Sequence, residues 1–243
     1  MEPVGGGQVE VLCVLSSDLR TAVMDLRPLV RAAVAALALL ATAAGAASPR
    51  WQSEFTAFAR SDETQRPPPG GVVFVGSSSI RLWDGLETAF ERFPTVVKRG
   101  FGGSTAADCA EHVDSLVAPY RPRIVVLYAG ENDLAEGAAA DEVASRVRAF
   151  IQQVRAAQPT THIAVVSIKP SPLRAELLPA IREANARIRA ILASVPNAQF
   201  IDVHSLMLDA EGHPRAELFG ADRLHMSAAG YALWRREINA RLP

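Results

Sequence analysis

Residues 72–79 read Val-Val-Phe-Val-Gly-Ser-Ser-Ser, an apolar run that passes directly into a small polar cluster. A continuous apolar run of this kind is typical of a strand buried on both faces of a parallel sheet. Polar residues that directly follow such a strand lie at the carboxyl edge of the sheet, where open α/β sheets bind their ligands. The stretch therefore predicts a parallel sheet with functional residues along that edge.

Three further apolar runs end in polar clusters. Residues 96–97 lead to Gly-Phe-Gly-Gly at 100–103, and residues 124–128 lead to Gly-Glu-Asn-Asp at 130–133. The run at 200–203 precedes a long loop that contains Asp-Arg-Leu-His at 222–225. Because helical patterns alternate with the strand candidates, we expect a doubly wound, five-stranded parallel sheet with helices on both faces. The strand candidates are 72–76, 95–99, 123–130, 162–168 and 198–203, and the helical patterns are 80–91, 105–118, 138–157, 173–194 and 227–241.

Composition excludes several classes of protein. Of the 243 residues, 49% are hydrophobic and 21% are charged, which is typical of a globular chain and not of a disordered one. The net charge of -1 gives no basic patch for nucleic acid or for an anionic membrane surface. No Cys/His cluster has the spacing of zinc ligands, and neither a Gly-x-Gly-x-x-Gly motif nor a P-loop lysine is present, so neither a metal nor an organic cofactor is expected.

The N-terminal part has the pattern of an export signal. Residues 29–47 are apolar and rich in alanine, Arg27 and Arg31 precede their core, and Ala-Gly-Ala at 44–46 supplies the small residues of a cleavage site. The uninterrupted apolar part, 32–47, is short for a membrane-spanning helix, which is the alternative interpretation. We therefore expect residues 1–46 to form an extension with a signal peptide and 47–243 to form one exported domain, periplasmic or extracellular, without a stable membrane span.

The first cluster supplies a candidate nucleophile. Ser78 follows the first strand and precedes a helical pattern, and the N-terminus of a helix favours developing negative charge. Residue 80 is Ile, so this is not the Gly-x-Ser-x-Gly elbow of α/β-hydrolases. Ser77 and Ser79 are alternatives for the role, and helix capping would also explain the three serines.

The middle two clusters supply candidate hydrogen-bond donors for an oxyanion. A glycine-rich loop such as 100–103 lets a backbone N–H approach a ligand closely, although it is also an ordinary connection between strand and helix. The side-chain amide of Asn132 is a neutral donor that brings no charge to desolvate, although an Asx turn would explain it equally well.

The last cluster supplies a candidate general base. Asp222 and His225 are three residues apart and can share one side of a turn, so that the carboxylate fixes the imidazole tautomer. The alternative pair is Asp202 and His204, two residues apart on one face of a strand. We favour His225 because its loop precedes the last helix and can reach across the carboxyl edge.

Taken together, the four clusters resemble the signature blocks of the SGNH hydrolases, the GDSL esterase/lipase superfamily, in order and spacing over roughly residues 70–243. They are most similar to the bacterial branch that resembles the catalytic subunit of platelet-activating-factor acetylhydrolase. The resemblance implies a flavodoxin-like three-layer α/β/α sandwich. It also implies Ser78 as nucleophile, His225 as base, Asp222 as its orienting carboxylate, and an oxyanion hole made of Ser78, Gly103 and Asn132.

Two positions depart from the family pattern. Ser77 and Ser104 stand where the family usually has acidic residues that orient neighbouring loops, so altered loop contacts are expected. The block Lys-Pro-Ser-Pro-Leu-Arg at 169–174 follows the fourth strand, where it is expected to shape the rim of the substrate site.

The resulting expectation is a serine esterase that cleaves short-chain acyl or acetyl esters of lipid or carbohydrate through an acyl-enzyme, with a small-molecule substrate. A thioesterase or a lysophospholipase is an alternative, as is a non-catalytic carbohydrate- or lipid-binding domain if the two departures disable the site. Four apolar residues near the clusters are candidates for an acyl pocket or for the core: Phe101, Leu134, Phe219 and Met226.

Overall fold

The computed structural model describes residues 49–243, and the predicted signal segment lies outside them. Five parallel strands form one sheet in the order β2-β1-β3-β4-β5. This order is that of flavodoxin-like doubly wound sheets, in which the chain reverses direction across the sheet between β1 and β3. The strands are β1 (Val72–Gly76), β2 (Val96–Gly100), β3 (Ile124–Tyr128), β4 (His162–Val166) and β5 (Ala198–Ile201).

The register of the strands brings the polar clusters to one level. Gly76 pairs with Gly100 of β2 on one side and with Tyr128 of β3 on the other. The three strands therefore end together, and the residues that follow them begin at the same height of the sheet. Every residue of β1 and β3 is buried, as expected for central strands of a parallel sheet.

Two layers of helices and loops cover the sheet. Alternate residues of β1 face opposite sides: Val73 and Val75 belong to one apolar cluster, and Val72 and Phe74 belong to the other. Two separate clusters on the two faces confirm the three-layer α/β/α sandwich. The α-helices described are α1 (Gln52–Thr64), α2 (Ser78–Arg81), α3 (Ala106–Glu111), α4 (Val113–Leu116), α5 (Glu131–Ala135), α6 (Ala140–Ala157), α7 (Leu178–Ala193) and α8 (Ala228–Arg241). None of the helices within residues 49–243 is long and apolar enough to cross a membrane.

The helix predicted over 80–91 is wrong in length. Only α2, a helix of four residues, forms there, and a loop with one 3-10 turn at Leu86–Thr88 follows. Gly85 adopts a left-handed conformation with φ +64°, which ends any regular helix. The apolar side chains of Trp83 and Phe90 are buried from this loop instead, so their spacing reflected burial and not helical periodicity.

The helix predicted over 173–194 begins later than expected. The chain first forms a 3-10 segment, Pro172–Leu177, in which Arg174 has the non-helical angles φ -120° and ψ 36°. Regular α-helix starts only at Leu178. The irregular segment leaves Arg174 beside the end of β3, where its guanidinium contacts Asn132.

Candidate active site

Ser78 is the first residue of α2 and lies one residue beyond Ser77, which caps the helix from an extended conformation. The backbone turns sharply here because the Ser77 carbonyl already accepts from the N–H of Ile80. Ser77 and Ser79 are buried, whereas Ser78 is partly exposed. The Ser78 Oγ lies 2.9 Å from His225 Nε2. Of the three candidate serines, Ser78 is thus the one placed next to an imidazole.

The loop at 222–225 holds Asp222 and His225 together. The imidazole Nδ1 lies 2.6 Å from one carboxylate oxygen of Asp222, and the other oxygen accepts the backbone N–H groups of Leu224 and His225. The hydrogen bond from His225 and these two backbone donors lower the pKa of Asp222 to about 2. The carboxylate therefore stays ionised at neutral pH and favours the tautomer with the proton on Nδ1, which leaves Nε2 as an acceptor facing Ser78.

The alternative pair, Asp202 and His204, is not assembled. The Asp202 carboxylate accepts from Arg189 and Ser205. The buried His204 ring directs Nδ1 at the carbonyl of Ile168, 3.1 Å away, and burial lowers the pKa of this imidazole. These contacts hold the end of β5 in place and do not include a serine nucleophile.

Asn132 is the second residue of α5 and is fixed at both ends of its side-chain amide. Its Nδ2 donates to the carbonyl of Ser104 at 3.0 Å, and its Oδ1 accepts from the guanidinium of Arg174 at 3.1 Å. A primary amide carries two protons on nitrogen, so one remains available for a further acceptor. The amide can therefore act as an oriented neutral donor.

Gly103 directly precedes Ser104, whose carbonyl accepts the hydrogen bond from Asn132. Its φ of +72° is left-handed, and a Cβ added there would lie 2.6 Å from the guanidinium of Arg50. The preceding carbonyl, that of Gly102, accepts from the indole N–H of Trp51 at 2.8 Å. Trp51, five residues after the end of the predicted signal segment, thus contacts the glycine-rich loop, a contact that the sequence pattern did not predict.

Position 104 lacks the acidic residue that is usual in the family, and carboxylates at other positions hold this loop. Asp108 forms a capping box with Thr105 at the start of α3, and Asp133 accepts from the backbone N–H of Ala106 at 2.9 Å. The Oγ of Ser104 is buried and makes no hydrogen bond within the described residues. The loop contacts therefore rest on Asp108 and Asp133 and on the backbone carbonyl of Ser104.

A buried ion pair connects the ends of β3 and β4. The Glu131 carboxylate accepts from Lys169 Nζ, from the hydroxyl of Ser171 and from the phenol of Tyr128. Burial acts to raise the pKa of Glu131, but the ammonium of Lys169 and the hydroxyl of Ser171 outweigh it, and the pKa is lowered. Lys169 and Ser171 are thus buried supports for α5 and not rim residues as expected. The sequence signal was present: charges of opposite sign follow two neighbouring strands.

A groove of about 560 Å³ is lined by residues that follow Ser78 and His225 in the chain. It runs between the loop after α2 and the first two turns of α8, with Leu82, Met226 and Tyr231 among its walls. Met226 follows His225 in the chain, and Leu82 lies one helical turn after Ser78. All four candidates for an acyl pocket are buried in the two apolar clusters, and Met226 also lines this groove.

The side chains that could bind a metal ion, and the free cysteine, complete the description of the reactive groups. Within 49–243, no three or more His, Cys, Asp or Glu side chains are grouped so that they could hold a metal ion. Cys109 is a free, buried residue of α3, and burial raises the pKa of its thiol above the ordinary value.

Known proteins resemble this chain along most of its length. The sequence pattern of the GDSL-like Lipase/Acylhydrolase family matches residues 71–233. Platelet-activating factor acetylhydrolase IB subunit alpha1 is 30% identical in Pongo abelii and 29% identical in Homo sapiens; each match covers 75% of this chain and 78% of the relative.

Solved structures share the fold. A GDSL-like lipase from Bacteroides thetaiotaomicron superposes with a TM-score of 0.65 at 22% identity, covering 76% of this chain and 95% of the other. The lipase/acylhydrolase from Enterococcus faecalis gives a TM-score of 0.59 at 22% identity, covering 72% and 97%. With its fold, its family match and these relatives, the chain belongs to the GDSL-like lipase/acylhydrolase family and is a hydrolase of ester bonds.

Proposed function

We propose that the protein is a serine esterase in which Ser78, His225 and Asp222 form the catalytic triad. The observation that carries the proposal is the continuous chain of hydrogen bonds, 2.9 Å from Ser78 to His225 and 2.6 Å from His225 to Asp222. This is the arrangement in which an imidazole can accept the serine proton while a carboxylate stabilises the imidazolium that forms.

The reaction then proceeds in two halves. His225 Nε2 takes the Ser78 proton as Oγ bonds to the ester carbonyl carbon, and the carbonyl oxygen becomes an oxyanion. The backbone N–H groups of Ser78 and Gly103 and the Asn132 amide donate to that oxyanion. Collapse breaks the ester C–O bond, and His225 returns its proton to the departing alkoxide. Water, deprotonated by His225, then attacks the acyl carbon. The bond from that carbon to the Ser78 oxygen breaks, and His225 returns the proton to Ser78 as the carboxylic acid leaves.

For the substrate, we propose short-chain acyl or acetyl esters whose alcohol part belongs to a lipid or a carbohydrate. The curated relatives are named for the removal of an acetyl group, which supports a short acyl part. The groove lined by Met226, the residue after His225, supports a larger alcohol part, because the imidazole must reach the departing oxygen and the alcohol therefore lies on its side.

A chain-length series of nitrophenyl esters tests the acyl preference. We expect kcat/KM to be highest for acetyl to butyryl esters and at least about tenfold lower for decanoyl esters, because each unaccommodated methylene loses binding in the transition state. The same series measured with Ser78→Ala gives the background rate for each ester. A steady rise of kcat/KM towards long chains would favour a lysophospholipase over the short-chain esterase.

We further propose that residues 47–243 act as one exported esterase domain after removal of residues 1–46. The support is the sequence pattern of the alanine-rich segment and its small-residue cleavage site. Expression in a bacterial host with its secretion machinery, followed by N-terminal sequencing of the periplasmic protein, is expected to give a start near residue 47. Purified protein that retains the apolar segment would contradict cleavage.

A further inference from the structure

We infer that Arg174 is a positioning residue for ester hydrolysis, which acts by orienting and polarising the side-chain amide of Asn132. This inference rests on the oxyanion role proposed for Asn132. It gives a function to the one charged side chain of the 169–174 block that is partly exposed at the site, with 20% exposure.

The side-chain amide of Asn132 is held by a hydrogen bond at each end. The guanidinium of Arg174 binds Oδ1 of Asn132, while Nδ2 binds the carbonyl of Ser104. An amide held at both ends cannot rotate by half a turn about its last side-chain bond. Without the guanidinium, only the bond from Nδ2 to the Ser104 carbonyl opposes an exchange of Oδ1 and Nδ2, and a flipped amide would present an oxygen to the oxyanion and repel it. Arg174 thus selects the orientation in which an N–H group is offered.

The positive charge of Arg174 also strengthens the amide of Asn132 as a hydrogen-bond donor. A cation bound to the carbonyl oxygen of an amide draws electron density from its nitrogen, which makes the N–H groups stronger donors. Glu131 and Lys169 form a buried pair of opposite charges, so the two nearly cancel. Arg174 lies 3.7 Å from Glu131 and adds a further positive charge to this cluster. The excess positive charge therefore lies on the oxygen side of the Asn132 amide, where it polarises the N–H groups that donate to the oxyanion.

Backbone contacts hold Arg174 in this place. Its N–H donates to the carbonyl of Ser171, whose hydroxyl binds Glu131. The N–H of Leu173 donates to the carbonyl of Arg223, within the loop that carries His225. The segment therefore joins the oxyanion side of the site to the triad side, and its irregular backbone at Arg174 is what allows both contacts.

A double-mutant cycle tests the inference with the preferred nitrophenyl ester. We expect Arg174→Met to lower kcat about 10- to 100-fold with little change in KM, the size of one charge-assisted hydrogen bond lost in the transition state. Asn132→Ala should lower kcat about 10²- to 10³-fold, the usual loss for one oxyanion donor. In the double variant, the loss should equal that of Asn132→Ala alone, because Arg174 acts through the amide. Arg174→Lys, which keeps the charge, should recover part of the rate.

The outcomes separate this inference from the proposed function. If Asn132→Ala leaves kcat unchanged, the oxyanion assignment fails. If Asn132→Ala lowers kcat but Arg174→Met does not, or if the two losses multiply in the double variant, only the role of Arg174 is wrong. Arg187→Met, which removes an arginine paired with Glu183 on the surface of α7, is the matched control and should leave kcat unchanged. Thermal unfolding of each variant shows whether lost activity follows lost structure.

Discussion

Replacing Ser78 by alanine is expected to lower kcat for ester hydrolysis by about 10⁶-fold, the loss that follows removal of the nucleophile from a serine-hydrolase triad. The Ser78 Oγ is partly exposed and its contact is with His225, so its removal takes away the attacking atom without opening a cavity in the core. Stopped-flow and steady-state assays measure the rate, and a fluorescent fluorophosphonate reports the covalent adduct. We expect labelling of the parent protein at Ser78 and none in Ser78→Ala.

The neighbouring serine provides a matched control. Ser79 is buried and one residue away, so Ser79→Ala makes the same chemical change without touching the imidazole. It should keep its labelling and most of its activity. Because Ser78 and His225 act as a unit, Ser78→Ala with His225→Ala should be no slower than Ser78→Ala alone. A burst of product from Ser78→Ala, or mapping of the label to Ser77 or Ser79, would overturn the assignment of the nucleophile.

The second large effect is expected at Asp222. Asp222→Asn should lower kcat about 10⁴-fold while the fold stays intact, because the amide imposes the wrong imidazole tautomer. The backbone N–H groups of Leu224 and His225 both donate to Oδ1, so the amide oxygen must take that position. The amide NH₂ then faces Nδ1 and donates to it, which places the imidazole proton on Nε2, where it blocks acceptance of the Ser78 proton.

Asp202→Asn is the control for this prediction. Asp202 belongs to the alternative Asp/His pair, and its carboxylate binds Arg189 and Ser205 at the end of β5. Its replacement should leave kcat within about twofold, since surface changes away from a site have small effects. A loss below about tenfold for Asp222→Asn, or a larger loss for Asp202→Asn, would show that the orienting carboxylate is not Asp222.

We expect Asp222 to contribute stability at neutral pH that is lost in acid. Its pKa in the folded protein, about 2, is below the ordinary value for an aspartate. A lowered folded-state pKa means that the ionised form stabilises the native state above the unfolded-state pKa, and that this contribution is lost as the pH falls towards 2. The carboxylate side chain is 51% exposed, so solvent screens the contribution to overall stability.

The strands could be predicted because their sequence pattern is local. A run such as 124–128 has no polar residue to place in water, so it is stable only where both of its faces are covered. The order of the clusters and their spacing were also in the sequence, and they indicated the family and the residues that we propose for the triad. Helix lengths were harder to predict, because Trp83 and Phe90 are buried from a loop and imitate a helical pattern.

Only the tertiary structure decided which polar groups meet. Ser78 and His225 are 147 residues apart, and three adjacent serines carry the same chemistry, so burial of Ser77 and Ser79 is what distinguishes Ser78. The contacts of Asn132 with Ser104 and Arg174 likewise join three segments that are distant in the chain. The sequence by itself determined the sheet and the set of candidate reactive groups, because both follow from local patterns. Their pairing depended on strand register and on the irregular backbone at 172–177, which exist only once the whole sheet has assembled.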